Sequence, residues 1–492
     1  MAPPRKKAAL EPTAKEGEKE PERKVSQSRV EKQPAKAPRK GGAGRAKKFK
    51  LSIDDFLPKH RAKFILTCGE GDQIGHGERL TTKKPRRIDG LPADAVFTQV
   101  AAGGVHTLAL AEDGRVFSCG VNEKGTVPTE SAEAEGSVNE LAPIVLPEDF
   151  EAKYGKIVMV SAGASFSAAV TEKGDVVAWG NLRDINGTME THDMLMAMQK
   201  GVTVIVPHQM HRCVKVACGE NHLIALGEDG SIVTFGDGSQ GQLGRLAVCR
   251  NHRIQYMVKQ SLKCMVIERG KEVKFADVWA GGYWSMARAS DGRVFAFGLN
   301  SYGQLGVSSG GAVGEAAAGN DAAAGDDAAM DVGDDTKELR VQFPTVADRL
   351  PADIHWTHAA GQHHVILRAD DGRVFGIGKN TDNALGLGTW SRQDGREENW
   401  KYLDVQRLTN LPEDVRGITA SLGCSLAWTQ NGRAFSWGND TVGQLGLGIT
   451  DDDDEKLVET PRLITSAHLD NCQIVQASMA DNHSVFLVAA NE

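Results

Sequence analysis

Four histidines occupy one repeated position, behind a glycine-rich turn, at His106, His222, His364 and His483. Imidazoles at fixed spacing invite acid–base or metal chemistry. Phe166, Trp284 and Cys424 fill the same position in other copies, so a shared metal site is not expected. A His opening an inner strand can instead satisfy the backbone of a neighbouring unit, which is the plainer expectation. His363 stands one residue before His364 and has no counterpart in the other copies, which makes it the better functional candidate. Asp72, Asp184 and Glu220 fall at connecting positions where they could share one face. Paired carboxylates for hydrolysis need a defined separation, which spacing alone does not supply. There is no nucleophile–base signature and no Cys/His cluster at ligand spacing, so no catalytic residue, metal or cofactor is expected. Gly69-Glu70-Gly71-Asp72-Gln73-Ile74-Gly75 has the look of a dinucleotide fingerprint, but no helical pattern comes after it. Similar glycines return at 239–244, 302–306 and 442–446, as a repeated turn would. No G-x-x-x-x-G-K-[ST] is present, so the chain is not expected to hold a nucleoside triphosphate itself.

The elements behind these residues announce themselves in composition first. Glycine accounts for 55 of 492 residues, spread along the chain, against a usual share of about 7%. That points to many tight turns rather than one linker. Eight cysteines show no C-x-x-C, and several replace aromatic residues of other copies, as expected of a reduced intracellular protein. No apolar run approaches the ~20 residues of a membrane-spanning helix, and the start lacks a signal-peptide core. Net charge is −8 overall, yet residues 1–50 carry +10 and the remainder −18. The first 50 residues are rich in Lys, Glu, Pro and Ala with almost no large apolar side chains. They are expected to be a disordered basic tail, because they bury too little to offset ordering entropy. Its basic clusters are Arg5-Lys6-Lys7, Arg39-Lys40 and Arg45 with Lys47-Lys48, suited to nuclear import and to contact with phosphates. A solvated solubility tail is the duller alternative.

From residue 62 a unit repeats. Its marker glycines, Gly103, Gly163, Gly219, Gly281, Gly361 and Gly423, lie 60, 56, 62, 80 and 62 residues apart. The long interval holds a low-complexity acidic insert at about 308–338. Within each unit, as in HTLALA-EDG-RVFSCG, apolar residues alternate on both sides of Asp-Gly or Asn-Gly, the strongest short hairpin signal. A third strand precedes this hairpin, and a fourth comes after it, often around a proline as at Pro143 and Pro344. Proline cannot donate to an interior ladder, so that strand belongs at an outer edge. Four such strands per copy make a propeller blade. The sequence from Ala62 has only the second half of a unit and the sequence from Ile474 only the first. The two halves complete a seventh blade. The expected fold is therefore all-β, a seven-bladed β-propeller over residues 51–492 closed by pairing of N- and C-terminal strands.

Where a repeat breaks, function is to be sought. One break is Leu182-Arg183-Asp184-Ile185-Asn186-Gly187-Thr188, in a slot where other blades carry a G-Q-L-G turn. Another is the excursion from Arg245 to Lys274, with Arg245, Arg250, Arg253 and Arg269, arginines that suit an acidic surface or phosphates. An ordinary solvated loop is the alternative for each.

With the repeats, the tail, the W-G-x-x-R-D-x-N-G segment at Trp179–Gly187 and the G-Q-L-G-R entry at Gly241–Arg245, the chain resembles the regulator of chromosome condensation family over residues 62–488. The resemblance implies a chromatin-bound guanine-nucleotide exchange factor for the GTPase Ran, in the nucleus and away from membranes, without covalent chemistry of its own. The segment matching Leu182–Met189, with Arg183, Asp184 and Asn186, would be a wedge against the nucleotide-binding loops of Ran. Asp72, His106, His363, His364 and His483 match interface positions. The family's acidic turns read here as Gly163-Ala164-Ser165-Phe166 and Gly219-Glu220-Asn221-His222; Glu220 and Asn221 fall at the interface with an acid displaced by one residue, while Ala164 supplies none. Arg245, Arg250 and Arg253 match the segment that meets the acidic patch of histones H2A and H2B in nucleosomes. The tail would touch DNA phosphates and nuclear import receptors. A non-catalytic chromatin adaptor is the first rival, and a ligand-binding or hydrolytic propeller the second.

Overall fold

The computed structural model describes residues 49–183, 193–245, 263–308, 339–392, 394–450 and 456–491. Among them are seven four-stranded antiparallel sheets, each a blade running from an innermost to an outermost strand. In the first blade the order is Phe97–Ala102, His106–Ala111, Val116–Val121 and Ser137–Pro143. Five further blades repeat it, with innermost strands Ile157–Ala162, Cys213–Cys218, Phe275–Gly281, Trp356–Ala360 and Val415–Ser421. The seventh blade takes Cys472–Met479 and His483–Ala490 from the end of the sequence, then Phe64–Glu70 and Thr81–Arg87 from the start. Phe64 to Gly69 pair with Val488 to His483 in continuous register. Each innermost strand packs on the next, and the seventh returns to the first. The ring is thus the propeller expected from the repeats, closed by strands from the two ends.

The second strand of a blade is buried on both faces, as in HTLALA at His106–Ala111, because blades stack on either side of it. Apolar clusters therefore lie between blades. Trp179, for example, is buried with Leu108, Val116 and Val160. The Asp-Gly pairs form the hairpins, as at Gly114 with φ +94°. Pro143 and Pro344 sit in outermost strands, where a missing N–H costs no ladder bond. The third blade departs from this pattern. Its outermost strand is only Lys263–Cys264, paired with Ile232 and Val233, inside the arginine-rich excursion. A small hairpin, Ile267–Glu268 with Lys271–Glu272, comes next in the chain.

The glycine ending each third strand explains why the unit cannot vary there. Gly236 pairs with His222 at φ +116°, and a Cβ on it would lie 2.5 Å from the Asn221 carbonyl oxygen. No side chain fits against backbone that close.

Strand direction sorts the loops between two rims. Innermost strands run toward one rim, where short turns lead into the second strand. The loops joining third to outermost strands return to that same rim. The Asp-Gly hairpins and the blade-to-blade connections occupy the opposite one.

Candidate functional site

The first of these rims gathers the polar groups. The turns after the innermost strands place Glu220, Gln362 and Asp481 around one mouth of the central channel. Asp481 Oδ1 accepts from Gln362 Nε2 at 3.2 Å and from the Leu422 N–H at 3.2 Å, and also from the Ser421 hydroxyl. Burial raises the Glu220 carboxyl above its ordinary value; the Asp481 charge adds to this, while the Tyr283 hydroxyl and Arg183 guanidinium oppose it.

Arg183 stands at the foot of the repeat-breaking segment. Leu182 is sunk into the apolar cluster of the second and third blades. Arg183 Nη1 donates to Glu123 Oε1 at 2.8 Å, and Asn181 Nδ2 donates to the same oxygen at 2.9 Å. The Ser165 hydroxyl donates to Glu123 Oε2 at 2.8 Å. With its amide oriented to satisfy both partners, Asn221 donates to the carbonyls of Glu220 and Arg183 at 3.2 and 3.3 Å. Beyond the segment, helix Asp193–Lys200 buries Leu195 and Met198. Both flanks of 184–192 are therefore anchored at this rim. Asp184 and Asn186 themselves lie outside the described residues.

Asp72 begins a single helical turn, Asp72–Ile74, between third and outermost strands of the seventh blade, and so reaches the same rim. Asp72 and Glu220 lie in turns within blades, not in connections between blades as expected. His363 is half-buried with its ring 5.2 Å from Tyr302, which meets Trp400 edge-on at 6.2 Å. Lys401 lies 4.4 Å from the Trp400 ring centroid and Lys379 5.5 Å from that of Tyr302. His363, Tyr302 and Trp400 thus form an aromatic patch bordered by two lysines. Burial, then Lys379, lowers the His363 pKa.

The repeated histidines follow the plainer expectation, a structural one. His106, His222, His364 and His483 are at most 1% exposed. Their Nε2 atoms lie 2.7, 3.0, 2.8 and 2.7 Å from the hydroxyls of Ser167, Ser285, Ser425 and Thr107 in the next blade. The partner that recurs in all four is a side-chain hydroxyl. Ser285, Ser425 and Thr107 in turn donate to the carbonyls of Gln242, Ala384 and Gln73. That assigns the Nε2 proton to the imidazole as donor. Nδ1 of His106, His222 and His483 is buried without a partner, so adding a proton there is opposed. Burial accordingly lowers these pKa values to about 4 for His106 and about 3 for the other three. Such side chains hold blades together, and their burial leaves little imidazole surface at the rim.

Arg245 departs from expectation. Its Nε donates to the Thr234 hydroxyl at 3.0 Å and Nη2 to the Thr234 carbonyl at 2.9 Å. Burial lowers its pKa. The guanidinium is thus partly engaged inside the third blade. Arg250 and Arg253 fall outside the described residues, as do Arg5, Lys6, Lys7, Arg39, Lys40, Arg45, Lys47 and Lys48 of the tail and the acidic insert from 309 to 338.

Sequence reasoning missed Glu123, Tyr283, Tyr302, Trp400 and Asp481. A signal existed for Asp481, which occupies the same turn position as Glu220 one residue after the marker position. Glu123 had none, being 60 residues from the arginine it anchors. The G-Q-L-G turns are architectural, with Gln304 accepting from the Tyr302 N–H and donating to the Leu299 carbonyl. Among the described residues no group of three or more His, Cys, Asp or Glu could hold a metal ion, seven cysteines are free, and no helix is long and apolar enough to cross a membrane.

A closed ring of repeats that concentrates polar turns and protruding loops on one rim defines a propeller of the RCC1-like type. The family description RCC1-like domain matches residues 64–486. The Homo sapiens protein Regulator of chromosome condensation is 30% identical over 437 residues, covering 87% of this chain and 91% of its own. The Saccharomyces cerevisiae Guanine nucleotide exchange factor SRM1 is 28% identical over 444 residues, covering 82% of this chain and 83% of its own. The crystal structure of Prp20p from Saccharomyces cerevisiae, described with its binding properties to Gsp1p and histones, has a TM-score of 0.72 at 24% identity, covering 91% of this chain and 97% of that one. The chain belongs to the regulator of chromosome condensation family.

Proposed function

We propose that this protein is a guanine-nucleotide exchange factor for the GTPase Ran that works while bound to chromatin in the nucleus. The observation that carries this is the rim itself. Glu220 and Asp481 stand at the channel mouth, and on the same rim the Arg183–Glu123 anchor holds the foot of the segment that matches the family's wedge. The name of the yeast relative supports the exchange reading, and the Prp20p description, with its binding to Gsp1p and histones, supports a protein partner and histones. Exchange needs no bond chemistry from the propeller. If it binds nucleotide-free Ran more tightly than the nucleotide complex, linkage requires that nucleotide bind the assembly correspondingly more weakly. Release then accelerates because the exchange transition state is stabilised relative to the bound state, and cellular GTP excess sets the direction. The basic tail would add DNA phosphate contacts of strongly salt-dependent affinity and serve import receptors.

Release of a fluorescent GDP analogue from Ran tests this. Acceleration by micromolar propeller supports it; an unchanged release rate overturns it. A second reading, a chromatin adaptor without exchange, is favoured by Ala164, which leaves the second-blade turn without a carboxylate. Nucleosome binding with unchanged nucleotide release would establish that reading instead.

A further inference from the structure

The central channel carries opposite charge at its other end. Its walls enclose a cavity of about 610 Å³. Lys215, His358 and Arg416 sit near the starts of the innermost strands Cys213–Cys218, Trp356–Ala360 and Val415–Ser421. Those strands run toward the Glu220–Asp481 rim, so their starts lie at the far end. Arg368 joins them from a second strand, its Nε donating to the Val415 carbonyl at 2.8 Å and its Nη1 to the Thr357 hydroxyl at 2.8 Å. All four residues line the cavity. Phe56 lines it too, with the Lys215 ammonium 5.8 Å from its ring centroid.

The local charges do not balance. Asp277 takes Lys215 at 2.6 Å and lies 3.9 Å from Arg288, so one carboxylate is shared between two cations. Among the described residues Arg416 has no ion pair, and Arg368 is held by neutral oxygens. Asp370 and Asp371 act on Arg368 only at a distance, and its burial lowers its pKa. The His358 imidazole, half-buried between Lys215 and Arg368, is held neutral by burial and by those cations, at about 4. Arg368, partly desolvated and lacking an adjacent counter-charge, is unfavourable unless an anion completes it, and the exposed Arg416 stands open to the same anion. Guanidinium forks match phosphate oxygens bidentately, whereas an ammonium adds a point charge.

We infer that this end of the channel binds a small, multiply charged phosphate anion, gripped by Arg368 and Arg416 with Lys215 as the third positive charge. The site lies at the far end from the proposed GTPase-facing rim and does not depend on exchange activity.

Calorimetric titration of the full chain with inorganic pyrophosphate tests this, with inositol hexakisphosphate and citrate as parallel arms. Saturable binding of one pyrophosphate, weakened at least tenfold in Arg416→Gln, is expected. Arg416 is exposed at the channel mouth, so this variant should keep its fold. Stronger binding of inositol hexakisphosphate that shows the same loss in Arg416→Gln would also support the site and assign a phosphorylated organic source. The His358 ring resonance should titrate at higher pH when pyrophosphate is bound. Absence of saturable binding, equal binding of citrate, or affinity unchanged in Arg416→Gln would each overturn the proposal; the last would move the binding to the basic tail.

Discussion

Replacing His222 by Phe should make the ring less stable at neutral pH yet less sensitive to acid. Phe already fills the equivalent slot at Phe166, buried and paired with Gly180, so the side chain suits that place between blades. At pH 7.5 the variant loses one hydrogen bond to Ser285, worth about 1 kcal/mol; Ser285 still donates to the Gln242 carbonyl. The folded pKa of His222 is lowered to about 3, against about 6.5 in an unfolded chain. The unfolded state therefore binds the proton first as pH falls. Stability from the neutral imidazole is complete above about 6.5 and is lost progressively down toward the folded value. By pH 5.5 that loss is about 1.4 kcal/mol for one histidine. Parent and variant should then be equally stable near pH 6, with the variant ahead below it. Urea unfolding monitored by tryptophan fluorescence at pH 7.5, 6.5 and 5.5 measures the difference. A stability difference that stays constant across the three would refute the linkage. The other three buried histidines act the same way, so the parent should lose about 5 kcal/mol over this range from the four together.

Gly236→Ala should cost about 3 kcal/mol or more, since its Cβ meets the Asn221 carbonyl at 2.5 Å in a strained backbone region. Gly292→Ala, with nothing within 4 Å, should cost about 1 kcal/mol; equal losses in thermal unfolding would contradict the role of the close contact. Glu123→Gln removes the charge that holds Arg183, a pair 37% and 25% exposed. The loss of about 1 kcal/mol should slow nucleotide release from Ran about fivefold with circular dichroism unchanged; parental release rates would detach this anchor from function.

The ring was legible in the sequence because its signals are local and repeated. Asp-Gly turns, alternation and half-units at the two ends all arise from short-range rules. The third blade's outermost strand was hidden, being two residues long and lacking the proline that marks others. Site residues were harder. Repetition of the histidines marked them as structural, but spacing could not show that a hydroxyl of the next blade would be the partner. Arg245 was read as an offered charge, although a Thr234 eleven residues earlier turns it inward. Asp481 escaped because Ala480 replaces the marker glycine and obscures the register. Glu123 and Arg183 meet only because adjacent blades bring their loops together.

The seventh blade has a consequence for how the protein comes into being. Phe64–Glu70 leaves the ribosome early, with apolar Ile65, Leu66 and Cys68 destined for full burial. Its inner partner, His483–Ala490, emerges only after every other blade has been made. Until then Phe64–Glu70, paired on its other side with Thr81–Arg87, keeps one open edge that other chains could capture. A message cut short before residue 483 yields an open arc and no ring at all.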